Sequence, residues 1–199
     1  DLSTNAYIIL KEFDGTDGGS PIGSLIERDD GKLYGMTFYG GSYGMGVIFS
    51  FDPSANTYAK LKDFDGINGR SPSGSLMVAS NGKLYGMGSS GGHHDAGVMF
   101  SFEPLSNTYV KLKEFGGNYS GSYPSGSLIR AFNGKLYGTT NAGGSYNSGV
   151  LFSFDPSTNT FVKLKDFNYG SCIGGLVQCR DGKIYGMTTD DVFSVGSLF

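Results

Sequence analysis

Gly31-Lys32-Leu33-Tyr34-Gly35 returns as Gly82-Lys83-Leu84-Tyr85-Gly86 and as Gly134-Lys135-Leu136-Tyr137-Gly138. With isoleucine for leucine it returns again as Gly182-Lys183-Ile184-Tyr185-Gly186. From glycine to glycine the steps are 51, 52 and 48 residues. A period near 50 residues lies in the range of propeller-blade repeats and is too long for most helical solenoids. Residues that recur in every copy are used on folding, so function is to be sought where the copies differ.

The third unit shows what surrounds the pentapeptide. Gly126-Ser127-Leu128-Ile129-Arg130 is a short strand of small residues, and Asn133-Gly134 is a two-residue hairpin signal, since both positions tolerate positive φ. Lys135 to Thr140 is the next strand. A glycine-rich loop, Asn141 to Ser148, leads to the phenylalanine-rich strand Gly149 to Phe154. Asp155-Pro156-Ser157-Thr158-Asn159 then turns the chain, with proline fixing φ and Asp and Asn able to bond their own backbone. The strand that opens this unit, Asn107 to Phe115, alternates with Tyr109, Lys111 and Lys113 on one side, and its lysines discourage edge pairing.

Each unit therefore predicts four antiparallel strands and no helix. The fold expected is all-β: a β-propeller of four four-stranded blades, small-residue strand innermost and lysine strand outermost. One domain spans 1–199, with units at approximately 1–51, 52–102, 103–154 and 155–199. Asp1 to Asn5 matches Asp155 to Asn159, and Gly196 to Phe199 matches Gly149 to Phe152. The last blade then lacks its outer strand, and Tyr7 to Phe13 is expected to complete it. The chain starts at Asp1 without methionine, which fits signal removal and trimming alike.

Composition narrows the function classes. The 34 glycines recur at fixed repeat positions, so they mark turns and close packing rather than a disordered tract. The net charge is -3 and the lysines are dispersed, which argues against nucleic acid. No apolar stretch approaches the length of a membrane-spanning helix.

The longer pattern Ser-Pro-x-Gly-Ser-Leu … Gly-Lys-Leu-Tyr-Gly-Met-Thr … Gly-Gly … Gly-Val-Ile-Phe-Ser-Phe-Asp is carried by Ser20–Asp52, Ser71–Glu103 and Tyr123–Asp155, with a degenerate copy over Ser171–Phe199. It resembles the GloVer tandem repeat of bacterial exported proteins. The resemblance implies a propeller-like fold and a secreted or cell-surface setting, and it brings no catalytic signature.

The two long loops of each unit are expected on one face of the array, and the tight hairpins at Asp30, Asn81, Asn133 and Asp181 on the other. Long loops on a rigid scaffold usually carry binding. These hold Tyr39, Tyr43, His93, His94, Asp95, Tyr119, Tyr123, Asn141, Tyr146 and Asn147. Tyrosine among Gly, Ser and Asn makes adaptable recognition surfaces, and flat rings stack on sugars. A glycan or a protein is the ligand class expected.

Other candidates are weaker. His93-His94-Asp95 lacks the further ligands zinc needs. Asp14-Gly15-Thr16-Asp17 and Asp65-Gly66-Ile67-Asn68 lack the full oxygen spacing of a calcium loop, so no metal or other cofactor is expected. Asp63, Glu114 and Asp166 occupy equivalent positions, the mark of structure rather than of catalysis. No nucleophile constellation is visible.

Cys172 and Cys179 replace Pro124 and Ala131 of the third unit. Seven residues of extended strand would separate them by about 20 Å, beyond disulfide reach. They are candidates for links between molecules. Two roles follow: a non-enzymatic binding module, or a self-assembling subunit in a fibre, homo-oligomer or multi-chain propeller.

Overall fold

The computed structural model describes residues 5, 7–168, 170–172, 174–190 and 195–199. The first unit is one antiparallel sheet in the order β1 (Gly19–Glu27), β2 (Leu33–Tyr39), β3 (Val47–Asp52), β4 (Thr57–Asp63). The second repeats it with the inner strand in two pieces, β5 (Arg70–Pro72) and β6 (Met77–Val78), followed by β7 (Leu84–Ser90), β8 (Val98–Glu103) and β9 (Thr108–Glu114). After one helical turn, α1 (Gly117–Ser120), comes the third sheet. It consists of β10 (Ser122–Arg130), β11 (Leu136–Ala142), β12 (Val150–Asp155) and β13 (Thr160–Asp166). The fourth unit forms two two-stranded ladders. One pairs β14 (Val177–Gln178) with β15 (Ile184–Tyr185); the other pairs β16 (Met187–Asp190) with β17 (Val195–Leu198). Among the described residues the structure corrects the expectation of four four-stranded blades without helix in two places: the turn α1 falls where the third unit's linker is lengthened, and the fourth unit's strands form two separate ladders instead of one four-stranded sheet.

The core lies between units. Tyr34, Met36 and Ile48 of the first sheet join Leu76, Leu84, Phe100 and Phe102 of the second in one buried cluster. Tyr85, Met87 and Met99 of the second join Leu128, Leu136, Phe152 and Phe154 of the third in another. Strand alternation sends one face of each sheet forward and the other back, so adjacent sheets bury each other's facing sides. Inner strands approach closely. A Cβ at Gly74 would strike the carbonyl of Gly126, which is why glycine stands there.

The repeated pentapeptide has a local cause. In each hairpin only the glycine has positive φ (Gly31 73°, Gly82 76°, Gly134 80°, Gly182 83°), and the residue before it does not. The turn is therefore not a two-residue one. Gly134 N–H bonds Ala131 O at 2.9 Å and Ala131 N–H bonds Lys135 O at 2.9 Å, a turn closed by a left-handed glycine. The Asx side chain works instead as a brace. Asn133 Oδ1 accepts the Lys135 N–H (3.0 Å), and its amide donates to the Tyr137 hydroxyl (2.9 Å). Asn81 donates likewise to Tyr85 (2.9 Å), while Asp30 and Asp181 accept from Tyr34 and Tyr185 (both 2.7 Å). Asx-Gly-Lys-Leu-Tyr is thus one hydrogen-bonded unit. Tyr34 and Tyr85 are buried, and Tyr137 and Tyr185 partly so. Burial first, then the bond to Asp30, pushes the Tyr34 phenol up to about 12.

The outer strands do not alternate strictly. The register slips between Met99 and Phe100, so Leu112 is an extra residue in β9, with matching slips opposite β4 and β13. This bulge brings Lys111 round to the side of Glu114.

The expected closure is corrected. Residues 7–14 form no strand, Tyr7 to Leu10 are exposed, and no pairing with Gly196–Phe199 occurs among the described residues. Phe13 packs instead on Phe49 (5.3 Å) and Tyr58 (5.8 Å) of the first sheet, as Phe64 packs on Phe100 and Tyr109 of the second. The reason is distance. Cβ atoms at Gly23, Gly74 and Gly126 would each meet the next unit's backbone, whereas Gly174 has only its own unit's Met187 within reach, at 3.9 Å. The array is open, and a strand completes only a sheet it can touch.

Candidate functional site

Antiparallel order puts the β2–β3 loop, its counterparts, and the linkers between units at one end of the sheets. Hydrogen bonds knit these segments together. Gly41 N–H bonds Gly15 O (2.8 Å), Gly92 N–H bonds Gly66 O (2.9 Å), Ser71 N–H bonds Met45 O (3.0 Å), and Tyr123 N–H bonds Ala96 O (2.7 Å).

In the first three units the loop is also pinned by the outer strand of its own sheet. Asp63 accepts the Ser42 N–H (2.8 Å) and hydroxyl (3.1 Å), and Lys60 pairs with it at 3.0 Å. Asp166 does the same for Ser145, with Lys163 at 3.0 Å. In the second unit Glu114 holds His93, through its N–H (3.3 Å) and its Nδ1 (2.9 Å), and pairs with Lys111. The Lys111 bond, ahead of the His93 contacts, lowers the Glu114 carboxyl to about 2 against the cost of its partial burial. These equivalent carboxylates therefore hold loops in place. The bulge makes this possible, because in a strict strand a lysine three residues away would face the other side.

On this frame stand the expected binding residues. Tyr39, Tyr43, Tyr119, Tyr123 and Tyr146 are all exposed, by 47 to 67%. His93 and His94 are exposed and Asn141 is partly buried, with its amide oxygen shielded and unpartnered among the described residues. One relation goes beyond the sequence expectation: counted from the paired glycines Gly40-Gly41, Gly91-Gly92 and Gly143-Gly144, the residues Tyr43, His94 and Tyr146 occupy the same loop tip. Each of the first three units presents one flat ring there. Tyr119 is added by α1, and Tyr123 stands at φ 56°, where the first two units have Ser20 and Ser71.

The sequence reading did not single out Arg70. Its guanidinium grips Asp95 through two bonds, Nε to Oδ1 at 3.0 Å and Nη2 to Oδ2 at 2.6 Å, while Asp95 also accepts the Gly91 N–H. This fixes the second loop where its homologues carry Gly44 and Asn147. A separation of 25 residues left no local signal of it.

The ion-like motifs satisfy themselves. Asp14 accepts from the Thr16 hydroxyl (2.7 Å) and from the Thr16 and Asp17 N–H groups, which lowers its carboxyl to about 2. Asp65 accepts from both the backbone and the side chain of Asn68. Among the described residues, no three His, Cys, Asp or Glu side chains gather as metal ligands would.

The cysteines differ. Cys172 is fully buried, its carbonyl accepting from Ser125 Oγ at 2.6 Å, and burial pushes its thiol up. Cys179 is exposed beside the hairpin turn, and both are free.

Sheets packed face to face in an array, tight turns at one end and pinned, aromatic-tipped loops at the other, define a β-propeller-like repeat protein. The chain belongs to the Gloeobacter/Verrucomicrobia repeat family, whose model matches residues 1–199. No curated protein matches the sequence. Among solved structures it is similar to TolB from Acinetobacter baumannii (15% identity, TM-score 0.50, covering 90% of this chain and 42% of that one). It is also similar to the extracellular domain of the one-component system BT4673 from B. thetaiotaomicron (15%, TM-score 0.58, 89% and 21%). A chain of a nidogen/laminin complex is a third (14%, TM-score 0.59, 85% and 57%). This chain spans less than two thirds of each, and at such identity the likeness concerns the fold. Among the described residues no helix is long and apolar enough to cross a membrane.

Proposed function

We propose that this chain is a non-enzymatic binding module, secreted or displayed at a bacterial cell surface, whose long-loop face engages a glycan or a protein. The observation that carries this is the set of exposed rings on backbone that carboxylate–lysine pins hold in place. Binding loses less entropy when the recognition loops are already ordered. Aromatic rings supply large contact area at low conformational cost. The fold likeness to a chain of the nidogen/laminin complex and to an extracellular domain supports a binding role outside the cell.

The test is a panel of glycans and extracellular matrix proteins, probed with the wild type and with the Tyr43→Ala/Tyr146→Ala variant. The expected result is capture of at least one panel member by the wild type, lost in the variant with no change in melting temperature. No capture across the panel, or capture indifferent to the double change, would overturn the reading.

A further inference from the structure

One contact is made repeatedly inside this chain, and its two halves are left partly uncovered at the ends of the array. The forward side of the first unit, Tyr34, Met36 and Ile48, packs on the backward side of the second, Leu76, Phe100 and Phe102. The forward side of the second, Tyr85, Met87 and Met99, packs on Leu128, Phe152 and Phe154 of the third. All twelve side chains are buried.

By repeat position, the backward side of the first unit begins with Leu25, and the forward side of the fourth carries Met187 and Leu198. Leu25 is 54% exposed where Leu76 and Leu128 are 2% and 1%. Met187 is 60% exposed where Met36 and Met87 are 2% and 1%. Leu198 is 75% exposed where Ile48 and Met99 are 0%. Beside Leu25 lies an open apolar cavity of about 230 Å³, floored by Phe49 and Phe51, which are buried, and walled by Leu10 and Phe13 of the N-terminal segment.

The backbone tells the same story. Ser24 N–H donates to Ser75 Oγ (2.7 Å) and Ser75 N–H to Ser127 Oγ (2.8 Å). At the array's two ends, Ser24 Oγ and the Gly175 N–H have no partner among the described residues, and Gly174 lacks the neighbouring backbone that Gly23, Gly74 and Gly126 meet.

We propose that a second copy of this chain covers each end, the forward side of the fourth unit of one copy seating on the backward side of the first unit of the other. The two surfaces fit because the chain already joins the same pair of surfaces within itself. In the seated pair, the Gly175 N–H of one copy donates to Ser24 Oγ of the next, a rung of the kind that joins the first three units; none joins the third to the fourth, because Gly175 carries no hydroxyl. Apolar side chains as exposed as Met187 and Leu198 then lie in a dry interface, as their equivalents do. The contact is heterologous, so two copies that meet at both ends close a ring, and copies that meet at one end form an open polymer. This inference is independent of the loop-face reading, since none of its residues lies on that face.

The experiment is solution mass of residues 1–199 across a wide concentration range, with two variants. Leu198→Glu spoils the forward side, and Leu25→Glu the backward side. Ser24→Arg at an exposed position replaces Leu25→Glu if that variant does not keep the wild-type melting curve. The wild type is expected at twice the 21.1 kDa chain mass, or at higher multiples. Each variant alone is expected as a monomer. An equimolar mixture of the two is expected to recover a dimer, because one intact contact remains between them. A wild-type monomer at all concentrations overturns the proposal, as does a dimer untouched by both variants or a mixture that stays monomeric.

Discussion

The hairpin face and the loop face are built from the same repeat but use it in opposite ways. On the hairpin face the copies agree down to single hydrogen bonds: each Asx side chain braces a turn and meets the hydroxyl of a tyrosine four residues on. On the loop face the copies agree only in the frame. The paired glycines and the lysine–carboxylate pins recur, while the tips carry Tyr43, His94 and Tyr146 and one linker has grown into α1. The difference separates residues that specify the fold from residues free to specify a ligand. The same amino acid, tyrosine, is buried at one end and exposed at the other.

The largest expected effect follows from that contrast. Tyr34→Ala removes a buried ring and its bond to Asp30, and should cost roughly 3–5 kcal/mol of unfolding free energy. Tyr43→Ala, at an exposed tip, should stay within about 0.5 kcal/mol. Urea titration of both variants checks this, and equal costs would erase the distinction between the faces.

Next in size is the inter-unit packing that carries both faces. Gly74→Ala drives a Cβ into the Gly126 carbonyl and should cost at least about 1–3 kcal/mol, the range for overpacking. Gly174→Ala has room and should change stability by no more than about 0.5 kcal/mol. Thermal melts of the isolated chain give the comparison.

A smaller effect concerns pH. Glu114 has a folded pKa of about 2, below its ordinary value of 4.5, so its pin contributes fully above that ordinary value. The contribution is lost as pH falls from there through about 2. Exchange of the His93 amide hydrogen should therefore gain an acid-side opening below pH 4.5 that Glu114→Gln shows already at pH 7. An unchanged profile in the variant would remove Glu114 from the frame.

The smallest perturbation is chemical. A thiol reagent added to the folded chain should modify the exposed Cys179 and leave Cys172, buried with its thiol held up, until unfolding. Mass spectrometry of the native adduct decides it.

Much of this was legible in the sequence, and the limits have physical causes. The 50-residue period and the order of the strands were local patterns, and sheets followed. The exposed tyrosines were legible because polar, glycine-rich surroundings leave a ring no core to enter. The true turn geometry was not, since Asn-Gly fits more than one hairpin type and the φ adopted at Asn133 separates them. The bulge at Leu112 was hidden for a similar reason: one inserted residue leaves the composition of a strand unchanged. Closure by Tyr7–Phe13 misled because matching sequence shows what a segment resembles, whereas completion also requires that the array bring both ends together. Pairs such as Arg70–Asp95 depend on the curvature of loops 25 residues apart.

The central claim, that recognition belongs to the loop face, is tested most directly by two double variants against one captured panel member. Tyr43→Ala/Tyr146→Ala alters the loop tips, and Arg130→Ala/Phe132→Ala alters exposed positions at the hairpin end. The account predicts an affinity loss of roughly tenfold or more for the first, in line with buried aromatic anchors, and a change within about twofold for the second. Loss of binding in the hairpin variant with the loop variant unaffected would contradict it.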